Sequence, residues 1–171
     1  MKEERGHSTP GSRSCTMSTQ EKERRYRRIA EQLKDLFRKT ADPVARMATA
    51  AALLHAKMPG LLWTGWYLLR DGDLVVGPYQ GPLACLVLPA HAGVCWAGID
   101  RGEAVVVPDV HAFPGHVACD SRSRSEIVVP LRDAGGAIVG VLDLDSRNLA
   151  HFDEADREGL EQIAALIHAR P

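Results

Sequence analysis

The chain has 171 residues, of which 45% are hydrophobic and 25% are charged, and its formal net charge is -1. This composition is typical of a single soluble globular domain with a sizeable core. The nearly balanced charge argues against nucleic acid or an anionic membrane as a partner. No apolar run reaches the roughly 18 residues that a membrane span needs, and the N-terminus lacks the apolar core of a signal peptide, so we expect a cytoplasmic location.

The first 19 residues are polar, contain Gly, Pro and Ser, and show no hydrophobic periodicity. This pattern predicts a disordered N-terminal tail over residues 1–19 and one folded domain over residues 20–171. Cys15 falls in the tail, and we expect no role for it in the folded domain.

Helical periodicity appears at both ends of the domain. Residues 20–39 place apolar side chains at helical spacing with a charged opposite face, which predicts an amphipathic helix. Asp42-Pro43 predicts the start of a second helix, because Pro favours the first helical position. A short helix is predicted within residues 91–103, and Asp153 is predicted to cap a last helix that ends near residue 169.

The segments between these helices read as strands. TGWYLLR and LVVGPY, joined by a DGD turn, predict a β-hairpin, and four more strands are predicted in ACLVLP, AVVVP, SEIVVPLRD and AIVGVLDLDS. The expected fold class is α+β, with a central antiparallel sheet of about six strands and helices packed against it. Residues 109–123 form a long connection, which in a compact domain indicates function or disorder.

Three cysteines lie inside the predicted domain: Cys85, Cys95 and Cys119. In a reducing compartment, such residues are more often thiols, metal ligands or redox groups than permanent disulfides. The apolar neighbours of Cys85 favour a buried position, whereas Cys119 lies in the polar segment PGHVACDSRSRSE.

The charges around Cys119 have mixed signs. Arg122, Arg124 and His116 would lower the pKa of its thiol, whereas the carboxylates Asp120 and Glu126 would raise it. The sign of the net shift stays open at this level.

Two kinds of thiol chemistry compete for these residues. Zinc is one, because suitable ligand types are present in Cys85, Cys95, His111, His116 and Cys119. Their spacing matches no C-x-x-C or H-E-x-x-H pattern, so we expect no metal and no other cofactor. The other is thiol redox catalysis, which needs an exposed nucleophile and a second thiol that can reach it.

Carboxylates near strand ends suggest what would bind beside the thiols. Asp143 and Asp145 share one face of VGVLDLDS, and Glu126 starts an apolar strand. If these ends converge, they form an acidic pocket for an ammonium group, and burial would raise a carboxyl pKa enough for proton donation. Trp63 and Tyr67 would supply an aromatic wall for a small amphipathic cation.

Several motifs together resemble the free methionine-(R)-sulfoxide reductases, which are small stand-alone enzymes of the GAF fold. The motifs are WTGWYLL, GPYQGPLACLVLP, GVCWAG, VVVPDVHAFPGHVACDSRSRSEIVVPL, GVLDLDS and HFDEAD. The resemblance runs from about residue 20 to the C-terminus. It implies reduction of free L-methionine-(R)-sulfoxide through a cysteine sulfenic acid and a disulfide, with thioredoxin as reductant and a homodimeric enzyme.

The resemblance also implies roles for individual residues. Cys119 would be the nucleophile, Cys85 the main resolving thiol and Cys95 an alternative one. Substrate-binding positions are implied for the aromatic and acidic residues Trp63, Tyr67, Glu126, Asp143 and Asp145. Trp96 departs from the smaller residue expected after Cys95.

The competing hypothesis is a GAF sensor module that binds a small molecule without catalysis, because the same sheet and pocket would serve both functions. Three thiols argue against it, since binding alone needs none of them.

Overall fold

The computed structural model describes residues 17–169 of the chain. Cys15 and most of the predicted tail lie outside these residues. Ser18 and Thr19, at the end of the predicted tail, are the N-cap and the first residue of a helix.

Within the described residues, the chain forms four α-helices, six strands and one 3₁₀ turn. The α-helices are α1 (Thr19–Phe37), α2 (Pro43–Lys57), α3 (Gly93–Arg101) and α4 (Glu154–Ile167). The strands are β1 (Leu61–Arg70), β2 (Asp73–Gln80), β3 (Val87–Leu88), β4 (Val105–Val107), β5 (Ser125–Arg132) and β6 (Ile138–Ser146), and the 3₁₀ turn spans Val110–Ala112. No helix in residues 17–169 combines the length and apolarity needed to cross a membrane.

Side-chain caps define where three of the helices begin. Ser18 and Asp153 each accept hydrogen bonds from backbone N–H groups of the first turn, and the third residue of each helix bonds back to the cap. Asp42 accepts a hydrogen bond from the Val44 N–H ahead of α2, whose first residue is Pro43. These bonds satisfy N–H groups that a helix leaves unpaired, so the caps predicted at Asp42 and Asp153 are confirmed.

The six strands form one antiparallel sheet in the order β3-β2-β1-β6-β5-β4. The β1–β2 hairpin turns at Asp71-Gly72, where both residues have positive φ, at 51° and 92°. Such turns match the right-handed twist of the strands they join. The predicted α+β class and antiparallel sheet are therefore confirmed.

Strand β3 is shorter than predicted. ACLVLP was expected to be a strand from Ala84, but pairing covers only Val87–Leu88 and Cys85 lies before it. The Cys85 carbonyl accepts a hydrogen bond from the Tyr67 hydroxyl at 3.1 Å, and its sulfur is bonded to Cys119. These contacts take the place of strand pairing at Cys85.

The two faces of the sheet have different neighbours. One face packs with α1, α2 and α4 into the larger core, and the other packs against α3. Strand β1 shows the division, because Trp66 belongs to the first core, where its Nε1 donates to the Met47 carbonyl at 3.0 Å. Trp63 and Tyr67 belong to the second core. This second face carries the site described below.

A buried ion pair joins α1 to α4. The Lys22 ammonium contacts the Asp156 carboxylate and lies 3.0 Å from Asp153 Oδ2. The Tyr26 hydroxyl donates to Asp156 Oδ1 at 2.9 Å. Because the Lys22 and Asp156 side chains are only 8% and 2% exposed, each depends on the other for its charge to be tolerated inside the protein.

We expect Asp156→Ala to lower the free energy of unfolding by about 2–4 kcal/mol, because it leaves the buried Lys22 with Asp153 alone as its charged partner. The matched control is Glu154→Ala in the same turn of α4, where the side chain is 61% exposed. Its urea midpoint should stay close to that of the parent, because an exposed ion pair contributes little to stability. Urea unfolding followed by circular dichroism measures both, and equal midpoints for the two variants would contradict the assignment.

Candidate active site

A pocket of about 570 Å³, measured with its open mouth, lies between the second face of the sheet and α3. Its floor comes from the central strands β1, β5 and β6, and its rim comes from α3 and residues 116–123. The long connection predicted at residues 109–123 therefore supplies one wall of the pocket.

Strand register brings the predicted acidic residues together. Glu126 on β5 lies directly opposite Asp145 on β6, and Asp145 also lies opposite Trp63 on β1. Directly opposed residues point to the same face of a sheet, and residues two apart in one strand do so as well. Asp143 therefore joins Glu126 and Asp145, and all three line the pocket.

Aromatic rings on β1 line the pocket beside these acids. The Trp63 ring stacks on Tyr67 and Tyr79, with centroids 5.6 Å and 5.3 Å apart. Gly65 makes this packing possible, because a Cβ atom there would lie 2.3 Å from the Tyr79 Cβ and 2.5 Å from the Trp63 ring. The predicted aromatic residues Trp63 and Tyr67 thus line the pocket, and Tyr79 packs against the Trp63 ring.

Two of the three carboxyl groups are fully enclosed. Burial, followed by the neighbouring Asp143 and Asp145 carboxylates, raises the pKa of Glu126 well above its usual value. Burial and the Asp145 charge likewise raise the pKa of Asp143, and outweigh the lowering by Cys95 and Glu126. The structure thus favours the protonated form of both groups.

Asp145 is less perturbed. Burial raises its pKa from 3.8 to about 6, while a hydrogen bond donated by the Ser123 hydroxyl opposes the shift. At neutral pH this carboxyl is mostly ionised, beside two groups that favour their protons. The acidic cluster therefore offers both a proton donor and an anion.

The three cysteines occupy different environments. Cys85 and Cys119 form a disulfide with Cα atoms 5.5 Å apart, and Cys119 is exposed at the rim of the pocket. Cys95 is buried and, among the cysteines that the structure describes, is the free one. Burial and then the charges of Asp143 and Glu126 raise the pKa of its thiol well above the usual value.

The charged neighbours of Cys119 are largely engaged with one another. The Arg122 guanidinium binds the Asp120 carboxylate at 2.6 Å, and these hydrogen bonds lower the pKa of Asp120 to about 2. The Arg122 charge is therefore balanced locally. His116 faces Glu126, with Nδ1 and Oε2 3.8 Å apart, and burial lowers the pKa of its imidazole.

Comparison with known proteins places this geometry in a family. The GAF domain profile matches residues 30–169. The free methionine-R-sulfoxide reductase of Escherichia coli is 43% identical over 124 residues, covering 72% of this chain and 74% of that protein. The Saccharomyces cerevisiae enzyme of the same name is 40% identical and covers 73% of each chain. The chain belongs to the free methionine-R-sulfoxide reductase family.

A solved structure agrees with this membership. The free methionine-R-sulfoxide reductase of Neisseria meningitidis, solved by X-ray crystallography in complex with its substrate, superposes with a TM-score of 0.81 at 44% identity. The match covers 86% of this chain and 88% of that one. The resemblance inferred from the motifs, and the GAF fold that it implied, are confirmed.

Within this reductase fold, the structure gathers the residues that the sequence singled out. Nine of them line the pocket: Trp63, Tyr67, Cys95, His116, Cys119, Asp120, Glu126, Asp143 and Asp145. Cys85 is joined to this group by its bond to Cys119. His111, from the zinc hypothesis, is exposed outside the pocket. Trp96 is buried against the His91 ring, 4.7 Å between centroids.

Sequence reasoning missed Ser123, Gly65 and Tyr79. The Ser123 hydroxyl donates a hydrogen bond to Asp145. Gly65 leaves space for the Trp63 ring, and Tyr79 stacks on that ring. Ser123 had one signal, its position in the segment that also holds Cys119. Gly65 had a weaker one, as a glycine inside a strand, which often marks close packing.

The raised pKa of Asp145 predicts a pH-dependent cost to stability. The folded protein binds this proton more tightly than the unfolded chain, so stability falls as pH rises from about 4 through about 6. Asp145→Asn removes the cost. We expect the free energy of unfolding of the variant to rise relative to that of the parent across this window, by on the order of 2 kcal/mol at pH 8.

Chemical unfolding at a series of pH values measures this difference. Asp120→Asn is the matched control, because the pKa of Asp120 is lowered to about 2 and its charge does not change above pH 5. A flat difference for Asp145→Asn between pH 4 and 8 would contradict the prediction.

Proposed function

We propose that the protein reduces free L-methionine-(R)-sulfoxide to methionine, using Cys119 as nucleophile and Cys85 as resolving thiol. The observation that carries this proposal is the Cys85–Cys119 disulfide at the rim of a pocket with buried acids and stacked aromatic rings. Membership of a family whose curated relatives are named for this activity supports it.

The first step transfers the sulfoxide oxygen to the enzyme. The Cys119 thiolate attacks the sulfoxide sulfur and forms an S–S bond, while the sulfoxide oxygen gains a proton. The protonated oxygen then passes to the Cys119 sulfur, and both its bond to the substrate sulfur and the S–S bond break. Methionine leaves, and Cys119 becomes a sulfenic acid. The substrate gains two electrons, and the cysteine sulfur supplies them.

Glu126 is the proposed proton donor to the sulfoxide oxygen. Its carboxyl is buried at the pocket wall and favours its protonated form, as a general acid near neutral pH must. Asp145 is proposed to bind the substrate ammonium instead, because its pKa of about 6 leaves it mostly ionised. Two acids in different environments thus take different roles.

The aromatic wall is proposed to hold the other end of the substrate. The Trp63 and Tyr67 rings present apolar faces to the pocket, which suit the S-methyl group. Binding at both ends would place the sulfoxide group between the carboxyls and the Cys119 sulfur.

Resolution follows by condensation of two sulfur groups. The Cys85 thiol attacks the Cys119 sulfenic acid and displaces its hydroxide, which takes the thiol proton and leaves as water. The product is the disulfide seen in the structure. An external dithiol then reduces this bond and becomes a disulfide itself. We propose thioredoxin for this step. We also propose a homodimer, which rests on the resemblance to the family, and a cytoplasmic location, which rests on the expectation from the sequence.

Cys85 is favoured over Cys95 as the resolving thiol. The Cys85 and Cys119 Cα atoms lie within the range that a disulfide requires. Cys95 is enclosed beneath the pocket, and its raised pKa keeps it as a thiol, which is the less reactive form.

Thiol counting tests this cycle. Adding free methionine-(R)-sulfoxide to the reduced protein should remove two thiols per chain, and Cys119→Ser should remove none. Cys85→Ser should stop at the Cys119 sulfenic acid, which dimedone labelling and mass spectrometry detect.

The outcomes of this experiment separate the alternatives. Unchanged thiols in the parent protein would favour the GAF sensor over the enzyme. A loss of two thiols in Cys85→Ser would show that Cys95 resolves the sulfenic acid.

The ammonium site predicts selectivity for the free amino acid. N-acetyl-methionine-(R)-sulfoxide lacks an ammonium, so its binding leaves the buried Asp145 charge unpaired. We expect kcat/KM to fall by about 100-fold or more relative to the free sulfoxide, in a thioredoxin-coupled assay. Asp145→Asn should lower the ratio of kcat/KM for the free sulfoxide to that for the N-acetyl sulfoxide. The neutral amide interacts less strongly with the ammonium than the carboxylate does, so the absence of the ammonium matters less to the variant.

A control substrate and a contradicting outcome complete the test. The free S-sulfoxide is the matched control substrate, since it keeps the ammonium and changes only the configuration at sulfur. An unchanged selectivity ratio in Asp145→Asn would show that another group reads the ammonium.

A further inference from the structure

A cluster of potential metal ligands lies at the floor of the pocket. One ligand atom each from Cys95, Glu126 and Asp143 lies within 4.8 Å of the other two, and all three residues are buried. The residues come from α3, β5 and β6, so packing of the helix on the sheet creates the cluster. The proposed reduction uses the Glu126 carboxyl and leaves the Cys95 thiol without a role.

One atom in this cluster and one beside it lack hydrogen-bond partners among the described residues. Asp143 is 5% exposed, and its buried Oδ1 has no hydrogen-bond partner, although Cys95 and Glu126 lie beside it. His116 Nδ1 is also buried without a partner, 3.8 Å from Glu126 Oε2. Buried polar atoms are nearly always paired, so two such atoms facing one cluster indicate that a ligand completes it.

We propose that Cys95, Glu126, Asp143 and His116 bind a divalent transition-metal ion of the zinc type. One sulfur, one imidazole nitrogen and two carboxylate oxygens form a donor set that Zn²⁺ and Co²⁺ accept in tetrahedral geometry. The ion replaces protons on the thiol and the carboxyl groups, and its charge offsets the crowding of three anionic ligands.

Small movements bring the donors to metal-binding distance. Zinc bonds of about 2.0–2.3 Å require neighbouring ligand atoms to lie closer together than the present 4.8 Å limit. His116 can follow, because it belongs to the pocket rim and directly follows Gly115, where φ is 71° and no other atom lies within 4 Å of a Cβ position. The other three ligands lie on regular elements of secondary structure.

This ligand set differs from the zinc set considered from the sequence. That set needed the thiols of Cys85 and Cys119, which are not available as ligands while they form a disulfide. It also needed His111, which is exposed outside the pocket. The present site uses Cys95 and remains available while the disulfide is formed.

The metal and the substrate would exclude one another. All four ligands line the pocket that we assign to the sulfoxide. A bound ion would occupy the Glu126 carboxyl, which is the proposed proton donor to the substrate. The site is thus inhibitory, a consequence that rests on the proposed function, whereas metal binding itself does not.

Cobalt titration of the disulfide form tests the binding. A Cys15→Ser background removes the thiol that lies outside the described residues, so Cys95 is the remaining thiol. We expect one Co²⁺ per chain, with the near-ultraviolet charge-transfer absorbance of a cobalt–thiolate bond, and displacement of the Co²⁺ by Zn²⁺. Absence of binding, or binding without this absorbance, would overturn the proposal.

Matched variants locate the ion. Cys95→Ser should abolish the charge-transfer band, and His116→Gln should weaken Co²⁺ binding by about tenfold or more. His111→Gln is the control for His116→Gln and should bind as the parent does. Equal affinity in His116→Gln and His111→Gln would show that His116 is not a ligand. Circular dichroism establishes that each variant is folded, and Asp143→Asn supplies a second ligand variant if Cys95→Ser does not fold.

A competition experiment separates this proposal from the proposed function. Free methionine-(R)-sulfoxide added to the disulfide form should raise the apparent Kd for Co²⁺. If Co²⁺ binds with its thiolate band and the sulfoxide does not compete, the metal site stands and the shared pocket is wrong.

Discussion

The pairing of β5 with β6 places two carboxyl groups, Glu126 and Asp145, side by side inside the protein, with Asp143 on the same face. Glu126 and Asp143 are buried beside each other, and Asp145 lies on the same face. The three cannot all remain charged without large cost, because each ionised group is desolvated and repels the others. The remainder of the pocket accommodates this constraint. Glu126 and Asp143 favour their protonated forms, and Asp145 keeps a lower pKa with help from the Ser123 hydroxyl.

The central strand β1 connects the aromatic residues and the disulfide with these acids. Trp63 lies opposite Asp145 in the sheet, and Tyr67, two residues beyond Gly65, donates its hydroxyl hydrogen to the Cys85 carbonyl. One strand therefore positions the apolar side of the pocket and the backbone of the proposed resolving cysteine. The Cys119 side of the disulfide comes instead from the irregular rim, which pairs with no strand of the sheet.

The opposite face of the sheet supports this arrangement without contributing to the chemistry. Trp66 points into the core beneath α2, and Lys22 on α1 is neutralised by Asp156 on α4. Both faces thus bury charge, but by different means. An ion pair with satisfied hydrogen bonds stabilises the helical side, whereas the pocket side leaves Asp143 and His116 with unpaired atoms. Unpaired buried groups are typical of sites that bind a ligand.

The sequence by itself determined the order of helices and strands, the caps at Asp42 and Asp153, the face shared by Asp143 and Asp145, and the family. These features depend on residues close together in the chain or on motifs that can be read directly. The family resemblance already implied Cys85 as the partner of Cys119, and the structure joins the two across 34 residues. Only the tertiary structure decided that Cys95 lies against Glu126 and Asp143 and that Asp145 differs from its neighbours in pKa. Pairing and pKa depend on distances and desolvation, which arise when separate elements pack together, and local periodicity contains neither quantity.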